Sequence, residues 1–396
     1  MTSQQPDKQP DKQTGSQSGN SKSGEEVRPL RVVLAGGGTA GHVNPLLALA
    51  AYLEQRDVTV IALGNASGIE AELVPGAGIE LRTIERVPFP RRPNKAALTF
   101  PARWRRSVAQ ARAVVEGADV VVGFGGHVAT PAYIAARRCG VPTVVHEQNA
   151  RPGLANRVGA RKAAVVATTF PGTPLPKAQL VGMPIREAVL AAGDLPREES
   201  AAFLGLDLTR PVLLVSGGSL GAAHINGVIA GLAAGIVQSG FQVLHLTGRG
   251  KAEAVTASLA KVSQRLDTAQ RPEIAQHYHV REYLVEMQHA LACAALVVGR
   301  AGAGAVSEFA ALGIPAIYVP LPIGNGEQRL NAAAVVEAGG GILVADDDFT
   351  PAWGRTNLLP LLGDPARLAQ MAGAARSTGI RDGAARLGEL VLGVAR

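Results

Sequence analysis

Arg31-Val-Val-Leu-Ala-Gly-Gly-Gly-Thr-Ala-Gly-His42 reads as a mostly apolar strand, a run of glycines, and the start of a helix that continues through Leu46, Leu47, Leu49, Ala50 and Leu53. The same order returns at Val212-Leu-Leu-Val-Ser-Gly-Gly-Ser219, which leads into a helix carrying Ile225, Val228, Ile229 and Leu232. Strand, glycine turn and helix start open a doubly wound α/β domain, so its recurrence predicts two Rossmann-like domains facing one another. Around these openings, short β-branched runs alternate with Ala- and Leu-rich segments of helical length. The predicted strands are Arg31–Ala35, Val58–Leu63, Leu81–Ile84, Val120–Gly123, Thr143–His146 and Val165–Thr168. A second series follows at Val212–Ser216, Gln242–Leu246, Ala275–Val280, Leu296–Gly299, Ala316–Val319 and Ile342–Ala345. These runs are apolar at successive rather than alternate positions, which implies parallel sheets covered on both faces. The Pro- and Gly-containing stretch Gly182–Pro196 is the predicted hinge, and the cleft beyond the carboxyl ends of the strands is the predicted site.

Composition agrees with two domains. The chain has 396 residues, 47% of them hydrophobic, enough for two cores. Lys and Arg (39) exceed Asp and Glu (32), giving +7 and pointing to an acidic partner. Cys139 and Cys293 stand far apart in no ligand spacing, which excludes a disulfide scaffold or a zinc module and fits a reducing compartment. No run reaches the length of a membrane span, and residues 1–29 lack the apolar core of a signal peptide, so the protein is expected to stay inside the cell. Residues 1–29, rich in Gln, Ser, Lys and Asp, are expected to be a disordered tail. Their basic and acidic residues cancel, which leaves the surplus charge on the folded part.

Several clusters carry chemistry. Gly36, Gly38 and Gly41 have the G-x-G-x-x-G spacing of a dinucleotide turn. That fingerprint also wants an acid at the end of the second strand, and the strand ends at Gly64-Asn65 with Asp57 at its wrong end. What survives is a set of backbone amides and a helix N-terminus presented to an anion. His42 follows, where the helix dipole disfavours the imidazolium; it is a candidate base or a residue that merely caps and packs. The turn at Ser216–Ala222 is read as a phosphate site, and Arg186 near the hinge either adds charge to it or is a surface arginine. His146-Glu147-Gln148-Asn149, directly after a strand, is read as solvated loop or binding site, with its position favouring the site. No metal is expected there, because no second ligand has suitable spacing. Arg300–Glu308 carries another small-residue turn into a helix. Glu308 is either a first-turn acid facing the dipole or an acceptor for a ribose diol. Gln328 and Asn331 share a helical face suited to sugar hydroxyls. Asp346-Asp-Asp348 is read as a turn into a helix capped by Thr350 with Pro351 at its first position.

Residues 82–112 hold Arg82, Arg86, Arg91, Arg92, Lys95, Arg103, Arg105, Arg106 and Arg112 against the single acid Glu85. Pro88, Phe89, Leu98, Phe100 and Trp104 are interleaved with them. This mix is expected where a surface touches anionic lipid head groups with shallow apolar insertion. Nucleic acid is the weaker alternative, and a solvated helix face explains the arginines but not the apolar residues.

Taken in order, Gly37–His42, His146–Asn149, Gly217–Ala222, Ser307-Glu308 and Gln328-x-x-Asn331 resemble the MurG family of glycosyltransferases over nearly the whole chain after the tail. The resemblance implies a GT-B fold and a division into residues 30–184, residues 185–379 and a helix at 380–396 that returns to the first domain. It implies inverting, metal-independent transfer of N-acetylglucosamine from UDP-N-acetylglucosamine to the 4-hydroxyl of the muramyl sugar of lipid I, without a cofactor. His42 and Glu308 are the implied catalytic residues. Thr39, Ala40, Gly41, Asn149, Arg186, Ser219, Leu284, Ala303, Gln328 and Asn331 are assigned to the donor. Gly38, His127 and His146 are assigned to the acceptor side, and Phe89, Arg91, Arg92 and Trp104 to the acceptor or an anionic inner-membrane surface. The implied location is peripheral, on the cytoplasmic face, with no nucleic-acid partner. Ala40, His127, Met183 and Leu220 depart from the residues the family usually has. An epimerase or hydrolase of the same fold, and a non-catalytic sugar-nucleotide or lipid-binding protein, are the competing functions.

Overall fold

The computed structural model describes residues 28–88, 95–218, 221–267, 270–323 and 325–395. Two parallel sheets organise them. The first runs β3-β2-β1-β4-β5-β6-β7, with β1 Arg31–Ala35, β2 Thr59–Gly64, β3 Glu80–Thr83, β4 Val120–Gly123, β5 Thr143–Glu147, β6 Val165–Thr168 and β7 Ala178–Leu180. The second runs β10-β9-β8-β11-β12-β13, with β8 Val212–Ser216, β9 Gln242–Leu246, β10 Tyr278–Arg281, β11 Ala294–Gly299, β12 Ala316–Tyr318 and β13 Gly341–Leu343. In both, the strand order reverses beside the opening strand, between β1 and β4 and between β8 and β11. A parallel sheet opens its ligand crevice at such a reversal.

The apolar runs fill both faces, as their patterning requires. Val32 and Leu34 pack with Leu46, Leu49 and Leu53 of α1 (Ala40–Glu54), while Val33 and Ala35 pack with Ala111, Val128 and Ala132 on the other side. The second sheet divides likewise, Val212 and Leu214 to one core, Leu213 and Val215 to another. Two elements differ from the sequence expectation. Ala275–His277 end a helix that begins at Gln270, so that strand starts only at Tyr278. The edge strand Ala178–Leu180 was not anticipated; all three of its residues are exposed, so it carries no apolar signal.

The chain passes between the sheets near Gly182 and Met183 and returns near Ile380. The crossings touch: a Cβ at Gly383 would collide with the Met183 carbonyl. Beyond the return, the final helix Gly383–Val394 buries Leu387 and Val391 in the core of the first sheet, and Tyr52 of α1 donates to Glu389 at 2.7 Å. Residues 1–27 lie outside the described residues. Arg28, which the sequence places in the tail, is paired with Asp119 at 2.5 Å.

Candidate functional site

The glycine turn after β1 is filled from within. The carboxylate of Glu70, at the start of α2 (Glu70–Gly76), accepts the Gly38 amide at 2.9 Å and the Asn65 amide at 3.0 Å. Asn65 donates its side-chain amide to the Ile84 carbonyl at 2.8 Å, so its Oδ1 accepts from His127 Nε2. The ring of His127 lies against Gly38. The expected presentation of the turn's amides to an anion is therefore corrected at Gly38, whose N–H is already satisfied by a carboxylate. The first amides of α1, at Ala40 and Gly41, keep the dipole and have no intrahelical acceptor.

His42 occupies the first turn of α1. Its Nδ1 lies 3.1 Å from the Gly37 carbonyl and 3.0 Å from Thr39 Oγ1. A carbonyl only accepts, so Nδ1 carries the proton and the lone pair sits on Nε2. That nitrogen faces Gly125, which follows β4 with φ +95°; a Cβ there would stand 3.2 Å from both His42 Nε2 and Asn156 Nδ2. Burial lowers the His42 pKa, the Gly37 bond opposing it and the neighbouring His127 adding to it. His127 is likewise lowered, by burial and then by Arg86. In both rings burial favours the neutral form.

The tetrad after β5 is mostly scaffold, which corrects the reading of its four side chains as a binding site. His146 is fully buried and donates from Nε2 to the Gly182 carbonyl at 3.0 Å, while Nδ1 accepts from Gln148. Burial pushes its pKa down to about 4. It braces the chain crossing at Gly182 and has no surface to offer an acceptor. Glu147, buried, accepts from the amides of Asn149 and Gly153 at 2.9 Å each and from Asn156 Nδ2 at 3.0 Å. Burial raises its pKa, and these donors oppose the rise. Asn149, just beyond the carboxyl end of β5, alone of the four is not buried.

There it meets the other half of the molecule. Asn331 closes the short helix Glu327–Asn331 after β12, is buried, and spends its side chain on protein. Its Oδ1 accepts the Ala150 amide at 2.9 Å, and its Nδ2 lies 3.3 Å from both Asn149 Oδ1 and the Ala301 carbonyl. Asn331 was expected to read sugar hydroxyls; these bonds make it a tie between the two carboxyl edges. Arg151 adds a second tie, to the Asn325 carbonyl.

The helix Ala303–Leu312 follows β11 with Ala303 buried at its first position. Glu308 lies in its second turn, not its first, so compensation of the helix dipole does not account for it. Burial lifts its carboxyl to about 7, opposed by the Arg186 charge. Arg186 is exposed and caps the helix Glu187–Leu190. Gln328 is half-buried, its Oε1 accepting the Leu321 amide at 2.9 Å. Leu284 is buried between exposed Tyr283 and Val285. In the turn after β8, Cβ atoms at Gly217 or Gly221 would collide with the Ala222 amide and the Thr247 carbonyl, so both positions require glycine. Ser219 and Leu220 lie outside the described residues, as do Phe89, Arg91 and Arg92. Asp346, read from sequence only as part of a turn, is paired with Arg300, and Thr350 caps the following helix as expected.

In α3 (Lys95–Val115), Trp104 stacks on Phe100 at 5.6 Å and Leu98 is 83% exposed. Arg103 and Arg106 are drawn to Glu85, at 2.7 and 3.4 Å. Among the described residues no helix is long and apolar enough to cross a membrane. A cavity of about 250 Å³ lies beside the chain crossings, lined by Met183, Ser307, Asn331 and Ile380 among others, but not by His42, Glu308 or Gln328.

Sequence reasoning missed Glu70 and Asn65. The signal available was a glycine pattern, Gly64 and Gly68 shortly before the acid Glu70, whose meaning depends on a crossover helix folding back onto the first turn.

Residues 32–168 match the glycosyltransferase family 28 N-terminal domain, and residues 212–387 match its C-terminal domain. The chain is 53% identical over 365 residues to the UDP-N-acetylglucosamine–N-acetylmuramyl-(pentapeptide) pyrophosphoryl-undecaprenol N-acetylglucosamine transferase of Clavibacter sepedonicus, covering 91% of this chain and 95% of that one. It is 51% identical over 384 residues to the protein of the same name from Bifidobacterium longum, covering 92% and 97%. A crystal structure of Acinetobacter baumannii MurG superposes with a TM-score of 0.74 at 28% identity, covering 92% of this chain and all of that one.

Proposed function

Because the chain belongs to glycosyltransferase family 28, and within it to the MurG enzymes, we propose how its two halves divide the transfer. The reaction moves N-acetylglucosamine from UDP-N-acetylglucosamine to the lipid-linked muramyl acceptor, forming lipid II, on a GT-B scaffold. An epimerase or hydrolase, or a non-catalytic binding protein, is not favoured, since relatives about half identical across 91% of the chain carry the transferase name.

The edge of the second sheet takes the donor. Glu308 accepts from the ribose diol, the backbone at Leu284 meets the uracil, and Arg186 with the Gly217–Gly221 turn, Ser219 included, faces the diphosphate. The Ala303 amide, Gln328 and Asn149 contact the transferred sugar, with Asn331 acting through Asn149. Thr39, Ala40 and Gly41 close over the donor from the other side. The acceptor enters beside Gly38 and His127. Its 4-hydroxyl oxygen attacks the anomeric carbon in line, the bond from that carbon to the diphosphate oxygen breaks, and UDP leaves with the electron pair. His42 Nε2 takes the hydroxyl proton, and the configuration inverts. Charge growing on the diphosphate falls to Arg186 and main-chain amides, with no metal assigned.

The observation that supports this reading best is the bond from His42 Nδ1 to the Gly37 carbonyl, which leaves a neutral lone pair on Nε2. The test is the fate of label from UDP-N-acetylglucosamine incubated with a lipid I analogue. Label in lipid is expected; label released to water, or retained in the donor, would refute the transfer.

The exposed Leu98, with Phe100, Trp104 and the arginines of α3, gives the protein its peripheral seat on an anionic membrane surface, which we place on the cytoplasmic face.

A further inference from the structure

Three glycines make room for one carboxylate. A Cβ at Gly37 or Gly68 would collide with the Glu70 carboxylate, and one at Gly64 would stand 2.6 Å from its Cγ. Glu70 is buried, and each of its oxygens takes one backbone amide, from Asn65 and from Gly38. Gly37, which presents its carbonyl to His42 Nδ1, is the residue directly before Gly38. The carboxylate therefore grips the turn on one side of the Gly37–Gly38 peptide, and His42 reads the other.

We propose that Glu70 is a positioning residue for the transfer: it fixes the Gly37–Gly38 peptide so that the Gly37 carbonyl holds His42 as the Nδ1–H tautomer, with Nε2 open to the acceptor hydroxyl. This rests on His42 being the base. It also gives the first turn a purpose other than binding phosphate at Gly38, since an anion there would meet a carboxylate already in place. Among the described residues, the groups facing His42 are few. They are the Gly37 carbonyl and Thr39 hydroxyl from its own turn, Glu70 from α2, Gly125 and His127 at and beside the start of α4 (Gly126–Cys139), and Asn156 from α5 (Leu154–Ala160). Of these, Glu70 favours and His127 opposes a proton on His42.

Glu70→Gln keeps the shape but sets an amide donor against one of the two backbone N–H groups. The expected result is a fall in kcat of up to roughly 10²-fold through misplacement of the base, with UDP affinity unchanged. The acid limb of the pH–rate profile shifts to lower pH, because the carboxylate that favours protonation of His42 is gone. Gly37→Ala, whose Cβ enters the carboxylate's space, is expected to lose kcat in the same way. ¹⁵N NMR of the unaltered chain should report His42 protonated at Nδ1, a premise that can be read even where a variant fails to fold. Protonation at Nε2, or a Glu70→Gln enzyme with an unmoved limb and full kcat, overturns the proposal. The two readings separate through His42→Ala. If that variant is slow while Glu70→Gln is unaffected, only the role of Glu70 falls; if His42→Ala runs at the full rate, the base itself is wrong.

Discussion

Glu308 carries a titration that the donor should feel. Its carboxyl sits at about 7 because burial outweighs the nearby Arg186, and in the proposed donor site only the ionised form would accept from both ribose hydroxyls. Donor affinity should therefore fall as pH drops through 7 and level off above it. UDP titrations by calorimetry between pH 6 and about 8.5 check this, and Glu308→Gln should flatten the curve. Gly125 gives a second test of single-residue geometry. Gly125→Ala forces φ +95° on an alanine and brings a methyl group to 3.2 Å from His42 Nε2, so turnover should drop while UDP binding holds. At this scale the place of His42 in the first turn of α1 was legible in sequence because it directly follows the glycine turn. Glu70 was not, because the amide it holds lies 32 residues away and only the fold of the crossover brings them together.

The elements were mostly legible, since their apolar runs fill two-sided cores. The misread helix end at Ala275–His277 and the overlooked edge strand Ala178–Leu180 both lie where burial gives no pattern, one at a junction and one in solvent. The tetrad after β5 shows a different limit. Polar residues in a row after a strand read alike whether they bind a ligand or brace a loop, and here three of the four brace it. Two outcomes belong to this scale. Asn331→Ala removes the acceptor of the Ala150 amide and the partner of Asn149, so the thermal midpoint should fall, consistent with a loss of about 1–3 kcal/mol. The sugar donor's KM should rise more than the affinity for UDP changes. Leu387→Ala, in the final helix, opens a cavity in the first sheet's core and should cost about 2–5 kcal/mol, read as an earlier unfolding transition of that half.

For the molecule as a whole, two sheets reverse their strand order at matching places and bring those carboxyl edges together through Asn149, Ala150 and Asn331. The doubled strand–turn–helix in the sequence implied the pair of sheets; the tie between them was invisible, because Asn331 reads as a sugar contact and its partners Asn149 and Ala150 lie 182 and 181 residues away. The surplus positive charge belongs to the same scale. Leu98→Ser should weaken binding to anionic vesicles, most clearly where salt screens the arginines, and leave transfer to a water-soluble acceptor analogue unchanged; sedimentation with vesicles checks the first and a transfer assay the second. The account turns on a proton passing to the first half while the sugar leaves the second, and its most direct test is the single-turnover rate of His42→Ala with a lipid I analogue. A fall of roughly 10²–10⁴-fold with UDP affinity intact is the expected result, and a rate equal to that of the unaltered enzyme would contradict it.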